Sequence, residues 1–160
     1  MGNILPKQKK YGLSREERIS NKKELNLLFR LGISFFIYPF HVFVVGTKPK
    51  KQHTIKVLVS ASKKKVKKAS QRNHLKRLMR EAYRKNKHSL SNYYSQKHDT
   101  TLLIAIIYTD EKTLSAEKVE QKIQAIIQRL LSLHDKIPHF NMHQHNKTSP
   151  NEIRARNNTQ

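Results

Sequence analysis

Apolar positions recur along the chain in distinct rhythms, and each rhythm predicts an element. From Ser20 to Leu31, Leu25, Leu28 and Phe29 fall at helical spacing among Lys22, Lys23 and Arg30, and Gly32 follows where a capping glycine would stand, so a short first helix is expected. Ile33 to Tyr38 and Phe40 to Val45 are β-branched and aromatic runs parted by Pro39, which reads as two antiparallel strands. After a polar loop from Thr47 to His53, Ile55, Val57 and Val59 alternate with Lys56 and Ser60, the period of a third strand over Thr54 to Ser60. From Ser70, a plausible N-cap, Leu75, Leu78, Met79, Ala82 and Tyr83 make a stripe at i, i+3, i+4, i+7 and i+8, a helix with one buried face. Asn86 to Thr101 has no period and reads as a loop, whereas Leu102 to Tyr108 is apolar almost throughout, as a central strand covered on both faces would be. Ser115 can cap a last helix that gathers Val119, Ile123, Ile126, Ile127 and Leu130 on one face and ends near His134.

The order αβββαβα contains a strand-helix-strand crossover and predicts an α+β fold, a mixed four-stranded sheet packed against three helices. A single domain over residues 1–134 is expected, followed by a polar, disordered tail over residues 135–160.

Composition narrows the function. The 160 residues carry 33 Lys and Arg against 11 Asp and Glu, a formal net charge of +22. Such an excess repels itself in a compact domain and makes physical sense where a polyanion neutralises it, so nucleic acid is the first candidate partner. A membrane surface would ask for a basic amphipathic helix with large apolar anchors, and Trp is absent. No cysteine is present, which excludes disulfides and thiolate metal sites and suits a reducing cytoplasm. Leu102 to Tyr108, the longest apolar stretch, is far short of the roughly 20 residues of a membrane helix. The opening MGNILPKQKKYG lacks the apolar region of a signal peptide, so a soluble, cytoplasmic protein is expected.

The charge is concentrated. Between Ser62 and Arg84 there are ten Lys or Arg and a single acid, Glu81. At about 100° per residue, Arg72, Lys76, Arg80 and Arg84 follow one i, i+4 line with Arg77 beside it and the apolar stripe on the other side. A merely solvated face would intersperse Glu with Lys, whereas like charges repeated at this spacing cost roughly 0.2 to 0.5 kcal/mol per pair, which a bound anion would offset. Arginine forks suit phosphates or exposed bases, and Asn73 could read a base edge or bind backbone. The preceding Lys63, Lys64, Lys65, Lys67 and Lys68 suit generic phosphate neutralisation. A DNA-reading helix-turn-helix would need a supporting helix before this one, where the pattern gives a strand and a loop, so DNA is not the expected partner. A ribosomal protein or general RNA chaperone has the same charge and a similar sandwich, and differs in lacking preference for one processed RNA.

The run RNHLKRLMREAYR, from Arg72 to Arg84, resembles the signature helix of the bacterial ribonuclease P protein family, an Arg-Asn-Arg helix followed by Lys-Arg and Arg-Glu pairs, with His74 in place of the usual third-position arginine. Upstream, LSREERISNKKELNLLFRLGISFFIYPFHVFVV is similar to the family's opening, in a form like that of Bacteroidetes members, and the likeness covers roughly residues 11–134. The resemblance implies a ribosomal-protein-S5-like sandwich bound to a large catalytic RNA. That RNA removes the 5′ leader of precursor tRNA with Mg2+ ions that it mainly holds itself, so the protein would contribute no catalytic residue. The resemblance also implies that the Arg-Asn-Arg helix faces the catalytic RNA. A cleft between the first helix and the sheet would take the single-stranded leader, lined by Leu25, Phe29 and Phe43, with Leu25 standing where an aromatic is common. Aromatic faces in a positive groove are what single strands bind, although phenylalanines are as readily buried in a core.

Other constellations are weak. Asp110 and Glu111 are neighbours in a turn, a common capping arrangement, and His139, His143 and His145 lack the acidic or thiolate company of a metal site. No phosphate-binding glycine loop, dinucleotide fingerprint or Ser/His/Asp arrangement emerges.

Overall fold

The computed structural model describes residues 13–48, 55–96 and 100–141. Helix α1 (Lys22–Leu31) starts at Asn21, whose side chain accepts a hydrogen bond from the Lys23 backbone N–H, and leads through Gly32 into the hairpin of β1 (Ile33–Ile37) and β2 (Phe40–Thr47). The hairpin turns on Tyr38 and Pro39, joined by a cis peptide bond. β3 (Ile55–Ala61), α2 (Ala69–Asn86), α3 (His88–Ser95), β4 (Thr101–Tyr108), α4 (Ala116–Ser132) and β5 (His139–Phe140) complete the chain. The sheet runs β1-β2-β4-β3, with β2 antiparallel to β1 and β4 and β3 parallel to β4. The expected mixed sheet and its crossover are both present.

Strand alternation divides the interior in two. Phe40, Val42 and Val44 of β2, Val57 of β3 and Leu102, Ile104, Ile106 and Tyr108 of β4 face α2 and α4, which answer with Leu75, Met79, Ala82 and Tyr83 and with Val119, Ile123, Ile126, Ile127 and Leu130. On the opposite face Val45, Leu103 and Ala105 pack under Leu27 and Leu28 of α1. Covered above and below, β4 needs apolar residues at odd and even positions alike, hence its unbroken run.

Four expectations are corrected. Part of the segment read as a loop over Asn86 to Thr101 is α3, so the helices number four among the described residues, anchored by Leu90 and Tyr94 one turn apart. Helix α2 begins one residue before Ser70, with Lys68 at its N-cap and no side-chain cap. The buried face of α1 is centred on Glu24, Leu27 and Leu28, while Leu25 is half-buried and Phe29 is exposed. Finally, the chain does not leave the fold at residue 134. A 3-10 turn (His134–Lys136) carries Ile137 into the main core, and β5 pairs in parallel with Gly46 and Thr47 of β2, beyond the point where β1 starts, adding a fifth strand. The Gly46 N–H donates to the Pro138 carbonyl at 2.8 Å, and a Cβ on Gly46 would meet the His139 ring at 2.2 Å, so the edge accepts β5 because residue 46 has no side chain. Residues 49–54 of the expected polar loop and strand start, and the tail over 142–160 with His143 and His145, lie outside the described residues.

Candidate nucleic-acid interface

Two surfaces on opposite faces of the sheet carry the chemistry. The first is the loop after β3 and helix α2. Val66, 1% exposed, plugs the core, and its N–H donates to the Ser62 carbonyl at 2.9 Å, so the loop is pinned while Lys63, Lys64, Lys65, Lys67 and Lys68 point outward. Arg72 clamps this loop to the helix by donating to the carbonyls of Val66 (2.9 Å) and Lys67 (2.7 Å). Arg80 donates to the Lys76 carbonyl. The line Arg72, Lys76, Arg80, Arg84 is half-buried along the flank of α2, whereas Asn73 and Arg77 are exposed.

Carboxylates meet few of these cations. Glu81 takes both nitrogens of the Arg84 fork (3.0 and 2.5 Å), and the guanidinium holds its carboxyl below the usual range. Glu111 lies 3.3 Å from Lys65 across an exposed gap. Among the described residues no ion pair engages Lys63, Lys64, Lys67, Lys68, Lys76 or Arg77. The first turn of α2 has no acid and no side-chain cap, which leaves the positive end of the helix dipole beside Lys67 and Lys68.

The second surface is the part of the α1-covered face that α1 leaves open. Strand register sets it in rows. Val45 and Leu103 lie beneath the helix beside Lys56, whose ammonium reaches the buried Glu24 at 2.6 Å and ties α1 to β3. The next row is Ser34, Phe43, Ala105 and Leu58, and the last, beyond the helix, is Phe36, His41, Ile107 and Ser60. Phe29 of α1 sets its ring edge-on to Phe43 at 5.1 Å, and Leu25 packs against the same cluster as Phe43, so the structure gathers Leu25, Phe29 and Phe43 where α1 meets the sheet. The sequence reading missed His41, Phe36 and Tyr38 on this face. Phe36 and Tyr38 alternate with Phe35 and Ile37, as His41 does with Phe40 and Val42, but with aromatic residues in both sets the alternation does not tell core from surface.

At the far corner the Tyr38 hydroxyl donates to Asp110 at 2.6 Å, which raises the phenol's pKa and lowers that of the carboxyl. Asp110 also accepts from the Glu111 N–H, so these two acids organise a turn and are not paired for acid-base work. Among the described residues no group of three or more His, Asp or Glu could hold a metal ion, and no helix is long and apolar enough to cross a membrane.

Residues 13–131 match the family model described as Ribonuclease P. A curated ribonuclease P protein component of Porphyromonas gingivalis is 35% identical over 102 residues, 63% of this chain and 74% of the relative. One of Pseudoalteromonas translucida is 46% identical over 50 residues, 31% of this chain and 36% of the relative. Among solved structures, a Staphylococcus aureus RNase P protein mutant with defective mRNA degradation activity superposes with a TM-score of 0.57 at 20% identity, over 72% of this chain and 88% of that one. The RNase P protein from Thermotoga maritima gives 0.53 at 23% identity, over 71% and 96%. At those identities the structural likeness establishes the fold alone.

Proposed function

From the premise that the chain belongs to the ribonuclease P protein family, we propose that it is the protein subunit of a cytoplasmic ribonucleoprotein that trims the 5′ leader from precursor tRNA. The loop lysines and the face of α2 bearing Asn73, Lys76 and Arg77 dock on the catalytic RNA. The groove between α1 and the sheet, walled by Leu25, Phe29 and Phe43, takes the unpaired leader. What carries the reading is the separation of the two surfaces, since a carboxylate-poor basic ledge on one face of the sheet and an aromatic groove on the other fit a protein lodged between two RNAs.

The chemistry follows from what each surface offers. The ledge supplies fixed positive charge against phosphates, which lowers the repulsion between two polyanions held side by side. The groove supplies rings on which bases stack without sequence preference, as a subunit serving many precursors requires. Bond cleavage and the Mg2+ it uses are assigned to the RNA. The test is reconstitution with a bacterial catalytic RNA at low Mg2+, comparing precursor-tRNA cleavage with and without the protein. Stimulation that depends on the leader is expected. Equal rates with and without the protein would overturn the proposal, and equal stimulation of unrelated RNAs would favour a general RNA chaperone.

A further inference from the structure

Three large hydrophobic side chains are exposed among the described residues: Phe29 at 44%, Phe36 at 56% and Tyr38 at 60%. All three stand on the same face of the sheet, joined ring to ring. Phe29 meets Phe43 at 5.1 Å, Phe43 meets His41 at 4.3 Å, His41 meets Phe36 at 6.1 Å, and Phe36 meets Tyr38 at 6.1 Å. The ladder leaves the groove wall on α1, crosses β2 and reaches the outer strand β1. Exposed apolar surface collected into one contiguous patch marks an interaction site, whereas scattered residues would not.

We propose that His41, Phe36 and Tyr38 form a second stacking segment for single-stranded RNA, continuing the leader groove and holding nucleotides beyond those between Phe29 and Phe43. This rests on the leader reading given above. RNA is the occupant favoured by charge. A chain of net charge +22 repels a second copy of itself and attracts a polyanion, and exposed aromatic rings offer stacking faces to the bases of a single strand. The segment has a built end. Tyr38 is steadied by its hydroxyl bond to Asp110, and that carboxylate sets a negative charge where the next phosphate would lie. The platform should therefore hold a limited number of nucleotides.

The experiment measures the affinity of the reconstituted holoenzyme for precursor tRNAs carrying progressively longer leaders, using the native chain and the variants Phe36→Ala, Phe36→Trp, Phe29→Ala and Asp110→Asn, with thermal melting and sedimentation of each free protein. Loss of one base-stacking ring weakens binding about fivefold or more. Phe36→Ala should show that loss only once the leader exceeds a threshold length, while Phe36→Trp retains affinity. Asp110→Asn, which keeps an acceptor for Tyr38 and removes the charge, should tighten binding of the longest leaders. If Phe29→Ala weakens binding and Phe36→Ala does not at any leader length, the extension is wrong and the groove stands. If neither variant weakens it, the leader reading falls and the extension with it. A change of oligomeric state in Phe36→Ala without loss of RNA affinity would overturn the proposal by assigning the patch to a protein contact.

Discussion

The basic ledge makes a quantitative prediction in salt dependence. Lys68→Gln, Lys76→Gln and Arg77→Gln combined remove three cations that have no carboxylate partner among the described residues. Arg72 and Arg80 are spared because they hold backbone carbonyls, so replacing them would loosen the loop or helix as well as remove charge. Each lost phosphate contact lowers the slope of log affinity against log salt by about 0.7 to 0.9, so the triple variant should flatten it by about 2 to 2.7. Between about 50 and 200 mM salt the native protein should then lose about 15- to 40-fold more affinity for the catalytic RNA than the variant does. Filter binding or anisotropy over that range reads the slope. A control removing Lys118, Lys122 and Arg129 of α4 in the same way makes an equal change in net charge elsewhere. An unchanged slope for the α2 variant, or equal flattening by the control, would refute a docked ledge and leave only diffuse attraction.

Two further outcomes bear on the fold. Ile137 is 3% exposed and seated in the main core, so Ile137→Ala should cost about 2 to 4 kcal/mol in urea unfolding; a cost near zero would show that the segment after α4 is not docked. For Glu17, burial pushes the carboxyl pKa up, but hydrogen bonds from Lys87 and the Ser14 N–H, with the attraction of Lys87, outweigh it and leave the net value lowered. Because the folded value lies below the unfolded one, the stabilisation is present above the unfolded pKa and is lost as pH falls through the folded pKa. The native protein should thus exceed Glu17→Gln in stability by more at about pH 7 than at about pH 3, and a pH-independent difference would contradict the pairing.

Elements with one unmistakable period were readable from the chain: the stripe of α2, the continuous run of β4 and the capped last helix all stand where expected. What escaped was carried by few residues or by distant partners. Helix α3 has buried anchors only at Leu90 and Tyr94 in a Ser- and Asn-rich stretch, and β5 is two residues long, too short for any alternation to register. The orientation of α1 was hidden because Glu24, a buried carboxylate, reads as a surface residue until Lys56, 32 positions on, is seen to meet it. Of the candidate site, the cationic positions were legible from charge and helical spacing, and the Glu81–Arg84 pair from its i, i+3 spacing, but local sequence could not show that Arg72 serves the loop backbone. The aromatic face was illegible for a different reason. Alternation sorts β1 into two sets, and only the three-dimensional placement of the helices, with α4 packed on the side of Ile33, Phe35 and Ile37 and α1 leaving the other side open, decides which set meets water.

The absence of cysteine allows single-site labelling, so one introduced cysteine carries the only photocrosslinker in the protein. Placed by His74→Cys on the exposed side of α2, or by Ser34→Cys beside Phe43 on the sheet, it samples the two surfaces separately. Crosslinking in the holoenzyme with precursor tRNA measures directly which RNA lies against each. The two-surface arrangement requires that the position 74 label join the catalytic RNA with or without substrate, and that the position 34 label join the leader and be silent with leaderless tRNA. A position 34 label that captures the catalytic RNA, or a position 74 label that captures the leader, would contradict it.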